Sequence, residues 1–403
     1  MKTATVTAAL IGVALAIGAV PAAELRCDCD FEGGSGKVES IDGQQRLVRL
    51  LPTPHKDRGW DCWWYVKISG ITPGETISLD VGKAPWATPD RAAVSVDNKH
   101  WLQTEPGKRS GKRITYRHKV DASEAWFAWG PPLVPSDAAA LVKRVAKSSP
   151  YATSFELCRT RAGRPTPALC ICQEGADDAE RFGIWIEARQ HAWESGSSWT
   201  CRGLIEWLVS DDPRAGALRK KSRITLVPIM DIDNTFIGAG GKCQKPHDHN
   251  RDWGEKPHWH SVRAAIERIK QMDEAGRFDL FLDLHNPGAD SKQPFFFTAP
   301  ADMLTGRRRS NLDRFIAASR AEIVGPQKLD RKVRTTGKSY DPAWERISSN
   351  WVSANTSEHV VSVCLETAWN APHGTTEGYR QLGRQLGLAI ERYLRLDPRQ
   401  AAN

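Results

Sequence analysis

The chain has 403 residues, 40% of them hydrophobic and 26% charged, with a formal net charge of +8. It is too long for one comfortable core and too apolar for a disordered chain, so two folded domains are expected. The positive balance favours acidic partners, but no dense Lys/Arg tract with interleaved aromatics occurs, which argues against a nucleic-acid groove.

Residues 1–23, MKTATVTAALIGVALAIGAVPAA, read as a signal peptide: Lys2, an apolar run from Val6, then small residues at Val20-Pro21-Ala22-Ala23. No later stretch reaches the roughly 20 apolar residues of a membrane span. The expectation is an exported protein, periplasmic or extracellular, with no membrane segment after signal removal. An uncleaved N-terminal anchor is the alternative. The nine cysteines include C-x-C pairs at Cys27/Cys29 and Cys170/Cys172. Neither pair resembles a zinc ribbon, and no disulfide pattern or oligomeric state follows from them.

Residues 24–147 form the second expected segment. Short alternating runs (RLVRLL, CWWYVKI, TISLDVG, AAVSVD, RITYRHKV, AWFAW) are broken by TPGE, ATPD and EPGKRSGK. That pattern predicts an antiparallel β-sandwich. Gly130-Pro131-Pro132 ends it, and residues 135–147 predict a linking helix with Ser136 or Asp137 near its N-cap. From 148 to 403 the strand-like runs FGIWIEA, RITLVPIMDI, FDLFLDL and HVVSVCLE alternate with helical stretches. This predicts an α/β domain with a mixed central sheet covered on both faces, with ligands at the carboxyl ends of its strands.

Four chemically competent side chains fall at such strand ends. His191 and Glu194 follow FGIWIEA, His285 follows FDLFLDL, and Glu366 ends VVSVCLE. Two imidazoles and a carboxylate suit one Zn²⁺ with a coordination position to spare, and a further carboxylate beside it suits a general base. Alone, each has an ordinary reading as a strand-end polar group; together they point to metal-assisted hydrolysis of a carbonyl compound. A rival cluster, His247, His249, His258 and His260 in a Pro/Gly-bearing loop, offers a second metal site.

HAWE, then D-x-N-R at Asp248–Arg251, then LDLH, then LET resembles, in order, the M14 zinc carboxypeptidases. Glu194 and His285 are 91 residues apart and His285 and Glu366 are 81 apart, which fits that family. WFAWGPPLV and ELCRTRAGRPTP resemble its cytosolic-carboxypeptidase-type branch, whose members carry an N-terminal β-sandwich. The resemblance implies that His191, Glu194 and His285 hold zinc and that Glu366 is the general base. It implies that Asn250 and Arg251 grip the substrate's terminal carboxylate and that Asp248 orients a zinc-binding histidine. Lys242 stands where the family has a carbonyl-polarising arginine, Tyr340 is the nearest match to its capping tyrosine, and Arg346, with Lys338, is a candidate reader of the last side chain.

The expected function is therefore a zinc-dependent metallocarboxypeptidase acting on peptide or protein C-termini, acidic tails among them. An amidase or deacylase using the same zinc site, and a non-catalytic peptide binder, are the alternatives.

Overall fold

The computed structural model describes Met1 and residues 24–82, 88–173, 180–369 and 371–400. The expected signal peptide, apart from Met1, lies outside the described residues. Two five-stranded sheets come first. One has the order β1 (Arg26–Asp28), β4 (Tyr65–Ser69), β10 (Glu124–Ala128), β6 (Ala93–Ser95), β7 (Leu102–Gln103). The other runs β2 (Lys37–Asp42), β3 (Leu47–Leu51), β5 (Glu75–Gly82), β9 (Arg113–Val120), β8 (Lys108–Ser110). Alternation along β9 (RITYRHKV) buries Ile114, Tyr116 and Val120 while Arg117 and Lys119 face out, as a half-buried strand requires. The pairing is antiparallel except between β3 and β5, which run parallel. That pair departs from the wholly antiparallel expectation, because the 23 residues between them cross to the other sheet as β4 before returning.

Helix α1 (Pro135–Ser148) follows. Its N-cap is Val134 rather than Ser136 or Asp137; Pro135 occupies the first turn, and Asp137 Oδ2 accepts from Val134 N at 3.0 Å. The expected acidic group is thus present but acts from the N3 position.

The larger sheet has eight strands: β11 (Ala152–Arg159), β12 (Pro165–Ile171), β14 (Ser222–Val227), β13 (Phe182–Ala188), β15 (Leu280–His285), β18 (Val361–Glu366), β16 (Phe295–Thr298), β17 (Arg334–Thr335). Its centre, β14-β13-β15-β18, is parallel, and β12 and β16 join antiparallel on either side. All seven residues of β13 are buried, as expected of a strand covered on both faces.

One face is packed by α1, α2 (Ser195–Leu208), α3 (Pro213–Lys221), α6 (Gly306–Glu322) and α8 (Thr376–Tyr393), with Leu204, Leu208, Phe315, Leu382 and Leu386 among the buried side chains. The other face carries α5 (His260–Glu274) and α7 (Ser348–Asn355), through Val262, Ile266, Ile269, Trp351 and Val352. Each such aliphatic or aromatic burial contributes about 1.5–3 kcal/mol. A short helix, α4 (Ile232–Ile237), leaves β14. Among the described residues no helix is long and apolar enough to cross a membrane, and none of the nine cysteines is in a disulfide.

The sandwich is not a loose appendage. Its core (Trp64, Val66, Tyr116, Phe127, Trp129) runs without a break into Trp193, Trp199, Ile229, Trp369 and Tyr379 of the α/β part.

Candidate active site

The parallel strands set the site. In register, His285 of β15 sits beside Glu366 of β18, so both side chains leave the sheet at one edge. After β13 the chain turns sharply at Arg189, whose φ of 63° is uncommon for a non-glycine residue. Its buried guanidinium fixes the turn, donating through Nε to Ala192 O at 2.7 Å and through Nη1 to Leu133 O. Burial lowers this group to about 9. The turn brings His191 over the sheet edge, and Glu194, the residue before α2, follows.

His191, Glu194 and His285 converge, with one ligand atom from each lying within 4.8 Å of the others. His191 Nδ1 is 2.8 Å from Glu194 Oε1, and His285 Nδ1 is 2.7 Å from Glu194 Oε2. All three are buried. Each imidazole is held from behind by a carboxylate. Asp248 Oδ1 is 3.3 Å from His191 Nε2, and Asp283 Oδ2 is 2.9 Å from His285 Nε2. Such backing fixes ring orientation and raises ligand basicity.

The titration behaviour follows from this crowding. Burial would raise Glu194, but the two imidazoles hold it down at about 2. Burial would lower His285, yet Asp283 and Glu194 push it well above its ordinary value. Burial and then Glu194 raise Glu366 to about 8, and its Oε2 is buried without a hydrogen-bond partner. Two nitrogens and a carboxylate form a donor set that fits Zn²⁺, and the orphaned Glu366 oxygen faces the same space.

The cleft beside this triad has a volume of about 120 Å³. Arg251, 8% exposed, places Nε 2.9 Å from Asp341 Oδ2, and its Nη1 donates to Asn250 O at 2.9 Å. Asn250 lines the cleft, but its amide is engaged: Nδ2 lies 3.2 Å from His285 Nε2, and Oδ1 accepts from Ser348 N at 2.9 Å. Lys242 Nζ lies 3.4 Å from His191 Nε2 and 3.9 Å from Asp248 Oδ2, within the cleft wall. Tyr340 is at the rim, 47% exposed, with its ring 5.9 Å from the Arg251 guanidinium.

Arg346 is half-buried and is not among the residues that line the cleft; a Cβ added at Gly254 would make ordinary contact with its Nε at 3.6 Å. The short helical turn Trp344–Arg346 ends just before Ile347, which does enter the wall. Lys338 is exposed and also outside the cleft.

Of the rival histidines, His247 and His258 have rings 6.3 Å apart, but among the described residues the four form no common ligand cluster. His247 pairs with Asp252, His249 stacks on Trp259 at 4.8 Å and lies 3.0 Å from Gln244, and His260 Nδ1 lies 2.8 Å from Arg159 O.

Several contributors escaped sequence reasoning. Asp283 had a signal, since alternation along β15 places it on the same face as His285. Asn286 N donates to Glu194 Oε2 at 3.2 Å, and its side chain ties Ser197 N to Thr367. Trp60 reaches the cleft from the sandwich; its loop is stitched to the one carrying Lys242 by Trp60 N→Lys242 O (2.9 Å), Gly241 N→Arg58 O (2.9 Å) and Lys245 N→Asp57 O (3.0 Å).

Comparison with known proteins agrees with this geometry. The zinc carboxypeptidase family model matches residues 138–271, and the cytosolic carboxypeptidase N-terminal domain model matches 27–129. A metallo-carboxypeptidase from Burkholderia cenocepacia shares the fold, with a TM-score of 0.78 at 23% identity over 92% of this chain and 99% of that one. An uncharacterized protein of Zymomonas mobilis is 26% identical across 80% of this chain and 78% of its own length. Human cytosolic carboxypeptidase 6 is 28% identical across 55% of this chain and 45% of its own. The chain spans under half the length of the cytosolic carboxypeptidases it matches. Fold and site together define a zinc-dependent hydrolase. Over those two matched stretches the chain is similar to the M14 zinc carboxypeptidases, in the branch that carries the cytosolic-carboxypeptidase N-terminal domain.

Proposed function

We propose that the protein is an exported metallocarboxypeptidase that removes the last residue from peptides or proteins with a free C-terminus. The observation that carries this reading is the buried, unpartnered Glu366 oxygen set beside a three-ligand cluster. A binder has no use for a buried, unpartnered base there. Zinc held by His191, Glu194 and His285 would supply Lewis acidity toward a peptide carbonyl and acidify water.

The chain's own groups do the rest. Glu366 takes a proton from the attacking water and returns it to the departing amine. Its tendency to stay protonated in a buried, acidic setting would be opposed by a dication held at the three ligands, which would favour the carboxylate. Arg251 receives the substrate's terminal carboxylate in place of Asp341, a bidentate task that suits a planar guanidinium. Asn250 borders that subsite, and Lys242 offers a point charge to the developing oxyanion. Asp248 and Asp283 hold the two imidazoles in orientation, while Tyr340 covers the rim. The leader-like N-terminus supports export; sequencing the mature protein after expression of the full chain is expected to give a start at or near Glu24.

Two peptides decide the activity, one with a free C-terminus and one amidated, each given to wild type and Glu366→Gln. Expected are release from the free peptide only, and a rate about 10³-fold lower in the variant. Equal rates in the two proteins would defeat the assignment, and turnover of the amidated peptide would favour the amidase alternative.

A further inference from the structure

The far end of the cleft carries information that the metal end does not. Along β18, Cys364 lies two residues before Glu366, on the same face and about 7 Å deeper along the strand. In register, Cys364 pairs with Phe297 and Glu366 with Phe295 of β16. Phe295, Phe297 and Cys364 form a small buried cluster of their own. Thr336 and Ile347 complete the wall that faces the cleft.

Among the described residues, the only charged side chains that line the cleft are those of its metal end and Arg251 and Lys242. The Thr336 hydroxyl is committed to Thr298 O at 3.1 Å and Asn350 Oδ1 at 2.9 Å. The Asn350 amide donates to Thr336 O and Trp344 O. Arg334 spreads its guanidinium over Phe295, 3.6 Å from the ring centroid, and does not reach the lining. The cations that do line the cleft are taken by other groups of the bound substrate, Arg251 by its terminal carboxylate and Lys242, 3.9 Å from Asp248, by the developing oxyanion. Meanwhile Glu366 and Glu194 face the same space. A carboxylate side chain seated here would lose its hydration, find no counter-charge and approach two acids. An ammonium side chain would lose hydration against apolar walls. An aliphatic or aromatic side chain would gain from burial.

We propose that the cleft selects a C-terminal residue with an uncharged, apolar side chain, seated against Phe297, Ile347 and Cys364, and rejects glutamate and aspartate. The proposal rests on the peptidase reading above and names its substrate class. It runs against the expectation, implied by the family resemblance, that acidic tails are among the substrates.

The test uses the zinc-loaded full-length protein and four peptides alike except for their last residue: leucine, phenylalanine, glutamate or lysine. Expected is kcat/KM for leucine or phenylalanine about 30-fold or more above that for glutamate and lysine. Glutamate released as fast as leucine would overturn the proposal while leaving the peptidase reading intact. Release from none of the four would sink the peptidase reading instead. Cys364→Ala gives a second arm, since deepening the floor is expected to raise the phenylalanine-to-leucine ratio several-fold. An unchanged ratio in a folded variant would overturn the seating at Cys364. The wild-type series needs no variant, so a variant that fails to fold leaves the main test standing.

Discussion

The two parts of the molecule divide the work unequally. The α/β part carries every group that meets the reacting atoms, and it places them where parallel strands end, with charges arranged in opposed pairs. The sandwich contributes one indole, Trp60, and a set of backbone hydrogen bonds to the loop carrying Lys242. The lesson is that a second domain can be part of an active site without supplying any of its chemistry, by fixing the path of a loop.

The largest effect should come from the metal ligands. His285→Ala, or chelation of the wild type, is expected to cut kcat/KM by about 10³-fold or more, read as peptide turnover and zinc content together. The proton balance carries a sign. In the metal-free protein His285 is held well above its ordinary 6.5, so it keeps its proton at neutrality, and zinc must expel it. Zinc uptake is therefore expected to release protons at pH 7 and to tighten as pH rises, measurable by calorimetry in buffers of different ionisation enthalpy. Uptake without proton release would remove His285 from the ligand set.

Arg251→Ala comes next. It is expected to raise KM and cost about 2–5 kcal/mol in kcat/KM for free C-termini. An equal loss in kcat at unchanged KM would mean that the arginine acts on the transition state instead.

Smaller effects should come from the sandwich. Gly59 has φ of +93°, and a Cβ there would lie 2.5 Å from Lys242 O. Gly59→Ala is expected to cost about 1–3 kcal/mol in stability, seen as a lower Tm, and to reduce kcat through the displaced lysine. Trp60→Ala should be mildest, a few-fold change in KM for longer peptides with kcat retained. If Trp60→Ala matched His285→Ala in severity, the division between the two parts would collapse.

Much of the catalytic sheet was legible because its strands are continuous apolar runs: FGIWIEA is observed as Phe182–Ala188. The expected strand RITLVPIMDI stops at Val227 because Pro228 cannot donate to a ladder. The metal triad was legible because its spacing and its strand-end placement agree. Helices α3 and α7 were not. The first is a basic nine-residue segment, PRAGALRKK, and the second is short and serine-rich, so neither shows an apolar stripe. Trp60 and Thr336 join the cleft from separate chain segments, which no local pattern encodes. Arg346 lies outside the cleft lining although Ile347 is in it, because nearness along the chain does not fix which neighbour faces a cleft.

The indole at Trp193, inside the HAWE motif between two ligands, stands 5.0 Å from Trp129 of the sandwich and 5.9 Å from Trp369. Trp129 and Trp369 are themselves 4.7 Å apart. Three chromophores so close must couple optically, and one of them is anchored beside the three-ligand cluster. Near-ultraviolet dichroism and intrinsic emission thus give a built-in gauge of both ion occupancy and the seam between the two parts. With it, loss of zinc and parting of the domains could be followed in solution without attaching a label.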